Sequence, residues 1–322
     1  MHDAAWVVAL LVAVGAIVWG AESFAEHLSA ASVRLGVSAF ALALLLAGAE
    51  PEELATAVVA AVRRVPAVAL GDVIGANVAA CLVALGVGAC LRPLPFGTRV
   101  LRYAALGLPA GVVATVTMWD GHVGRAEGAL LVVLYVAYVG TIWILERRPP
   151  ALGEAEELDE AKAEAAAGGT GVRARVGREL VLVVAGVAAM AVGATVLVEA
   201  VRRITSVESS QTDLSLTVVG FVTAFELVVL AWSASRRGAS EAVVAAVVGS
   251  FAYNATMTLG AAALVRPLTV VDAQRLHVPA LQMIGALALV IVLGVRRRSL
   301  GRADGVLLLA LYPLFLLSVA LR

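Results

Sequence analysis

Apolar runs long enough to cross a membrane follow one another along almost the whole chain. A span needs about 20 mostly apolar residues, and ten such segments can be drawn, near 4–24, 33–62, 67–91, 100–119, 124–145, 179–201, 213–235, 240–264, 277–295 and 303–320. The pattern predicts an all-α polytopic membrane protein with about ten transmembrane helices. The second, third, seventh and eighth segments carry polar interruptions, which predicts helices broken or bent at membrane depth rather than uniform rods. One stretch, 147-RRPPALGEAEELDEAKAEAAAGGTGVRARVGRE-179, breaks the rhythm with a Pro pair, an acidic block, a Gly pair and an Arg cluster. It reads as a solvated linker; its carboxylates lack the spacing and central glycine of an EF-hand, which speaks against a regulatory metal site. The expected organisation is a first membrane half over 1–146, a linker over 147–178 and a second half over 179–322.

Composition agrees with the pattern. The 322 residues are 61% hydrophobic and 15% charged, with a mean hydropathy of +0.95, whereas soluble domains have roughly 45–50% apolar and about 25% charged residues. Lys+Arg and Asp+Glu balance at 24 each, and aromatics are only 5%. Neither a basic footprint nor stacking platforms are present, so a nucleic-acid partner is excluded; membrane lipid and inorganic cations are the expected partners, and monomer and homodimer are both compatible with the sequence. The abundant small residues predict close helix packing. The first 20 residues lack a basic n-region and a clear cleavage site, and read as a retained span rather than a signal peptide. Cys81 and Cys90 lie nine residues apart on one predicted helix, on nearly opposite faces, which excludes a bond between them. No phosphate loop, dinucleotide loop or HExxH motif is present, and no enzyme chemistry or cofactor is expected. Arg147, Arg148, Arg173, Arg175 and Arg178 flank the linker, and Arg296, Arg297, Arg298 and Arg302 fill the ninth connection. Positive-inside counting makes both cytoplasmic and both termini external; Arg63/Arg64 and Arg202/Arg203 run against this trend.

The two halves share an internal order. A VGA opening a span, an EL pair leading an apolar helix that ends in RR, and a glycine-led polar step occur first in 13–80 and again in 191–254. Glu53 corresponds to Glu226, Arg63/Arg64 to Arg236/Arg237, and Gly75 to Gly249, at offsets of 173, 173 and 174. Five spans per half is an odd number, so the copies enter the membrane from opposite sides. That predicts two inverted five-helix repeats.

Carboxylates inside a bilayer are expensive and face a bundle interior, a water path or an ion. Glu53 and Glu226 are the primary candidates. In 48-GAEPEEL-54, Glu50 and Glu53 share a helix face while Glu52 points about 100° from Glu53. Pro51 suits the first turn of a new helix, whose positive dipole end partly offsets the carboxylates. The competing reading is an interfacial loop with solvated glutamates, which fits Glu52 best. The glycine-led steps 71-GDVIGANVAA-80 and 249-GSFAYN-254 add Asn77, Ser250 and Asn254 as oxygen ligands. An all-oxygen set without Cys or His suits a hard cation such as Ca²⁺. Asp72 reads equally as lining a cavity mouth, capping a helix or lying at the interface. Glu22, Glu26 and His27 read as solvated residues at the end of the first span, with a proton path as the alternative; Asp120, His122, Arg266, Asp272, Arg275 and His277 read as loop charges.

These paired blocks resemble the alpha repeats of the cation/Ca²⁺ exchanger superfamily, in which G-T-S-x-P-E-L on one broken helix is followed by G-S-N-x-x-N or G-S-N-x-x-D on the next. Here 48-GAEPEEL-54 and 221-FVTAFEL-227 resemble the first motif, and 75-GANVAA-80 and 249-GSFAYN-254 the second. The resemblance implies that Glu53 and Glu226 are the acidic ligands and Asn254 a further one, with Ala80 in the matching place of the first half. Thr223 and Ser250 retain hydroxyls of the kind that serve Na⁺, whereas Ala49, Glu50, Val222 and Ala76 do not. Phe221 stands in place of glycine, Glu52 and Phe225 in place of proline, and Phe251 in place of asparagine.

The function implied is a secondary cation antiporter of the cell membrane, moving Ca²⁺ in exchange for H⁺ or Na⁺ by alternating access. The expected ligands are Glu53, Glu226, Asn254, Glu50, Ser250, Thr223 and Asn77. Glu50 adds a carboxylate where the family offers a hydroxyl, and close carboxylates hold an exchangeable proton when no cation is bound. The alternative is a divergent member that transports a different cation or solute, or has lost transport and serves a structural role.

Overall fold

The structure, a computed structural model, describes residues 2–35, 50–146, 172–237 and 240–322. In chain order its helices are α1 (His2–Leu35), α2 (Pro51–Val62), α3 (Pro66–Ala79), α4 (Leu85–Leu91), α5 (Thr98–Thr117), α6 (Arg125–Glu146), α7 (Val172–Ile204), α8 (Glu208–Leu214), α9 (Gly220–Thr223), α10 (Phe225–Arg237), α11 (Ser240–Tyr253), α12 (Leu259–Val265), α13 (Gln274–Arg297) and α14 (Arg302–Ala320). Three five-residue π-helical segments, Ala80–Ala84, Ser215–Val219 and Asn254–Thr258, join α3 to α4, α8 to α9 and α11 to α12. Nine helical stretches among the described residues are long and apolar enough to span a membrane. They match nine of the ten predicted segments; the tenth, 33–62, is described only at its ends, and 36–49 lies outside the described residues. The sixth span starts at Val172, seven residues before the predicted 179. Apolarity marks where a helix meets lipid, whereas Arg173, Arg175 and Arg178 are good helix formers that extend it beyond the bilayer.

The inverted repeat is visible in the contacts. Two short antiparallel pairs tie loops together: β1 (Leu94–Pro95) with β4 (Ser299–Leu300), and β2 (His122–Val123) with β3 (Leu268–Thr269). The repeat carries β1 onto β3 and β2 onto β4, so one pair maps onto the other. The π-helical segments 80–84 and 254–258 are equivalent in the same way. Four glycine contacts obey the same symmetry: Gly20 packs on Gly186 as Gly193 packs on Ala13, and Gly128 packs on Gly260 as Gly305 packs on Gly86. Each brings helix backbones together where a side chain would hold them apart.

Burial separates an inner layer from an outer one. The span Pro66–Leu91 is 89% buried and Val243–Val265 94%, against 33–35% for Val8–Leu28 and Gly177–Ile204. The third and eighth spans therefore form the centre, and α1 and α7 flank it as a long antiparallel pair. That pair is tied at one end by His27 Nδ1 to Glu179 Oε2 at 2.6 Å and at the other by the Arg203 guanidinium 5.6 Å from the Trp6 ring. Glu22 and Glu26 are exposed, as expected, but His27 is held by Glu179 rather than by water. Cys81 and Cys90 are both free thiols.

Symmetry of packing makes a direct prediction. Gly20→Val and Gly193→Val each place a side chain against backbone and should each destabilise by about 1–3 kcal/mol. Gly15→Val, with nothing within 4 Å, should not. Melting of the purified variants in detergent checks this; an equal effect at Gly15 would refute the packing account.

Candidate cation site

Two helix starts carry the acidic residues. At α2, Pro51 occupies the first helical position, where no N–H is required. The Glu50 carbonyl accepts from the N–H groups of Glu53 and Leu54, each at 3.1 Å. Glu52 and Glu53 thus sit in the first turn, at the positive end of the helix dipole. In the second half the helix is interrupted at Ala224 and restarts at Phe225, which puts Glu226 in the first turn of α10. The predicted interruption of the seventh span is present at Ala224, the third and eighth spans run on through π-helical segments, and the stretch before α2 in the second span, 36–49, lies outside the described residues.

Glycines bring the two halves together. A Cβ on Gly75 would fall inside the van der Waals shell of the Leu216 carbonyl oxygen, and one on Gly220 would lie 2.5 Å from the Ala76 nitrogen. One on Gly71 would lie 2.7 Å from the Ser215 Cβ. The first half's α3 therefore lies directly on the 208–223 helix of the second. At this contact the Thr223 hydroxyl donates to Asp72 Oδ1 at 2.8 Å.

The polar groups at this junction are buried. Relative exposure is 0% for Asp72, Asn77 and Ser250, 1% for Glu52, Glu53 and Asn254, 3% for Thr223 and 7% for Glu50. Glu226 is partly buried. The Glu53 carboxyl has Asp72, Glu52 and Glu226 as its charged neighbours, and Asn254 adjoins it without a hydrogen bond of ordinary geometry. Neither Glu53 oxygen has a hydrogen-bond partner among the described residues, nor do Glu52 Oε1, Asp72 Oδ2 and Asn77 Oδ1. Glu52 has Glu50 as its nearest acidic neighbour, and both lie near Tyr253, whose ring meets that of Tyr135 edge-on at 5.3 Å.

The structure thus brings Glu53, Glu226, Asn254 and Thr223 into one neighbourhood, with Glu50 beside it. Ser250 sits behind the group: its hydroxyl accepts from the Asn254 amide at 3.2 Å, while Thr258 donates to Asn254 Oδ1 at 3.2 Å. Asn77 is directed to another partner, its amide donating to Met283 Sδ at 3.6 Å. Two expectations are corrected. Glu52 is not solvated, because α2 starts inside the bundle instead of at its surface. Asp72 is not at a cavity mouth or an interface, because the glycine contacts carry α3 into the centre; its spacing of three residues from Gly75 was the signal that both share a helix face. Among the described residues no three acidic, His or Cys side chains converge closely enough to hold a metal ion as they stand. A bound cation would therefore draw on a mixed set of carboxylate, amide, hydroxyl and backbone oxygens, the donor chemistry of hard cations.

Comparisons with known proteins give the family and the fold. The family model described as sodium/calcium exchanger protein matches residues 5–144 and 178–321. An uncharacterized membrane protein of Methanocaldococcus jannaschii is 23% identical over 307 residues, covering 94% of this chain and 91% of that protein. The inner membrane protein YrbG of Escherichia coli is 28% identical over 202 residues, 62% of this chain and 60% of that one. The sodium/calcium exchanger MaX1 of Methanosarcina acetivorans is 30% identical over 95 residues, 29% of this chain and 27% of that one. Among solved structures, the sodium-calcium exchanger NCX_Mj soaked with 100 mM Na⁺ and 10 mM Sr²⁺ superposes with a TM-score of 0.63 at 20% identity, over 98% of this chain and 99% of that one. Its form soaked with 10 mM Na⁺ and no Ca²⁺ gives 0.62 over the same shares. The ten-helix fold with inverted repeats is shared with these structures.

Burial without hydrogen-bond partners among the described residues makes Glu53 a destabilising residue when no cation is present, since a buried polar group left unmet is costly. Glu53→Gln should raise the melting temperature of the cation-free protein by about 2 °C or more. A lower melting temperature would show that Glu53 serves packing.

Proposed function

The chain belongs to the sodium/calcium exchanger family, and from that premise we propose that it is a secondary antiporter that moves Ca²⁺ across the cell membrane against H⁺ or Na⁺. The observation that carries this reading is that Glu53 and Glu226, each in the first turn of a helix and one from each half, lie within electrostatic reach of each other. A carboxylate from each half lets a cation hold the halves together from whichever side it enters, and its departure frees them to re-orient. Glu53, Glu226, Asn254 and Thr223 are the principal ligands in this proposal, with Glu50, Ser250 and Asn77 completing or supporting the set. The outer pair α1 and α7 moves relative to the centre to open one side and then the other.

An empty site carrying several negative charges is disfavoured in low dielectric, so it re-orients only after reloading, and this enforces exchange. Protons are the favoured counter-ion. The places of Na⁺-binding hydroxyls are filled by Ala49, Glu50, Val222 and Ala76, while the buried neighbours Glu50 and Glu52 form a carboxylate pair of the kind that takes up a proton when a cation leaves. This cycle involves no covalent chemistry. Residues 1–146 and 179–322 act as two halves, with 147–178 as a cytoplasmic linker. The β1–β4 pairing supports that orientation, because it puts the Arg92, Arg99 and Arg102 connection and the Arg296, Arg297, Arg298 and Arg302 connection on one face.

The test is Ca²⁺ flux into proteoliposomes under separately imposed H⁺ and Na⁺ gradients. Wild-type protein should transport under the H⁺ gradient and release protons on binding Ca²⁺, and Glu53→Gln and Glu226→Gln should each lower flux at least about a hundredfold, as expected when a buried charge partner is removed. Wild-type flux under neither gradient would defeat the transport reading. Flux under Na⁺ alone would defeat proton coupling and leave the exchanger assignment standing.

A further inference from the structure

We propose that Asp72 is a further cation-binding residue and the one that makes this site favour divalent over monovalent cations, an inference that rests on the exchanger reading above. Asp72 is fully buried at the contact between the two halves. Its Oδ1 accepts the Thr223 hydroxyl at 2.8 Å, and its Oδ2 has no hydrogen-bond partner among the described residues. A carboxylate with one oxygen fixed and the other unsatisfied is oriented for a ligand rather than closed into a structural bond, because a buried acceptor left unmet costs stability.

The neighbourhood indicates which ligand. Asp72 is the foremost charged neighbour of Glu53, and both Glu53 oxygens are likewise without hydrogen-bond partners among the described residues. Glu226 lies within electrostatic reach from the second half, although among the described residues the three carboxylates do not converge on one point as they stand. No Lys, Arg or His stands among the buried polar side chains of the described residues, so those residues supply no counter-charge there. Thr223 contributes in a second way: with its proton directed to Asp72, its oxygen lone pairs remain available to a cation.

The two halves are unequal at this position. The place of Asp72 in the second half, by the offset of 174 that relates Gly75 to Gly249, is held by Ala246. Conversely, Ala80 in the first half stands where the second half has Asn254. Asp72 lies eight residues before Ala80, about 12 Å along the helix, so it does not refill that place but adds a charged oxygen on the side of Thr223 and Glu53. Attraction to a carboxylate scales with cation charge, so an added carboxylate strengthens divalent binding more than monovalent binding.

Asp72→Asn isolates the charge, because the amide oxygen can still accept from Thr223 and the shape is kept. Calorimetric titration of the purified full-length protein with Ca²⁺, and competition with Na⁺, should show Ca²⁺ affinity falling at least about tenfold and Na⁺ affinity by much less. Unchanged Ca²⁺ affinity in Asp72→Asn, with a loss in Thr223→Val, would overturn the proposal and leave Asp72 as a positioning residue for Thr223. A second measurement needs no variant: in wild-type protein labelled with ¹³C-aspartate, Ca²⁺ should shift the infrared carboxylate band, and an unmoved band would equally overturn it. Wild-type protein that binds neither cation would instead defeat the exchanger reading itself.

Discussion

The near-contact of backbones at Gly71, Gly75 and Gly220 is the constraint on which the rest of the molecule depends. It lays the first half's most buried helix against the interrupted helix of the second half, with no side chain between them. The break at Ala224, the Thr223 hydroxyl and the Asp72 carboxylate can meet only because of it. In hydrocarbon, helices gain nothing from hiding apolar surface from each other, so such contact rests on backbone proximity and on polar groups that pair across it. The outer helices repeat the device at Gly20, Gly186, Gly193 and Ala13, which builds two concentric layers from one rule.

Charge is the counterpart of this close packing. Glu52, Glu53 and Asp72 are withdrawn from solvent and lie near Glu50 and Glu226, yet the described buried residues include no cationic side chain. Helix N-termini at Pro51 and Phe225 offset part of the repulsion, and the described buried residues add no cationic side chain to it. Stability and ion occupancy are therefore linked: whatever binds the folded centre adds its binding energy to the fold.

The spans were legible in the sequence because bilayer thickness imposes a length on apolar runs, and Glu53 with Glu226 because a costly residue recurs at a fixed offset. Asp72 was visible, but its surroundings were not. Its role depends on which face of a largely apolar helix turns inward, and with every residue from Ala67 to Ala79 buried only its spacing of three from Gly75 pointed to the phase. Glu52 misled because it follows Pro51, a residue shared by loops and helix starts. The direction of the Asn77 amide was set by Met283, more than 200 residues away in the chain, and no local pattern contains that information.

The outer pair α1 and α7 has a built-in ruler. The tie between Trp6 and Arg203 and the tie between His27 and Glu179 are separated along α1 by 21 residues, about 32 Å of helix, close to the roughly 30 Å of a bilayer's hydrocarbon layer. Both polar ties therefore rest at the two water interfaces when the helices are in register. Displacing one helix along the other by a turn draws a guanidinium or an imidazole–carboxylate pair towards lipid on one side and out into water on the other. The membrane's own thickness is thereby part of the energy landscape for re-orientation, so that thinner and thicker bilayers would favour different resting states of the same chain.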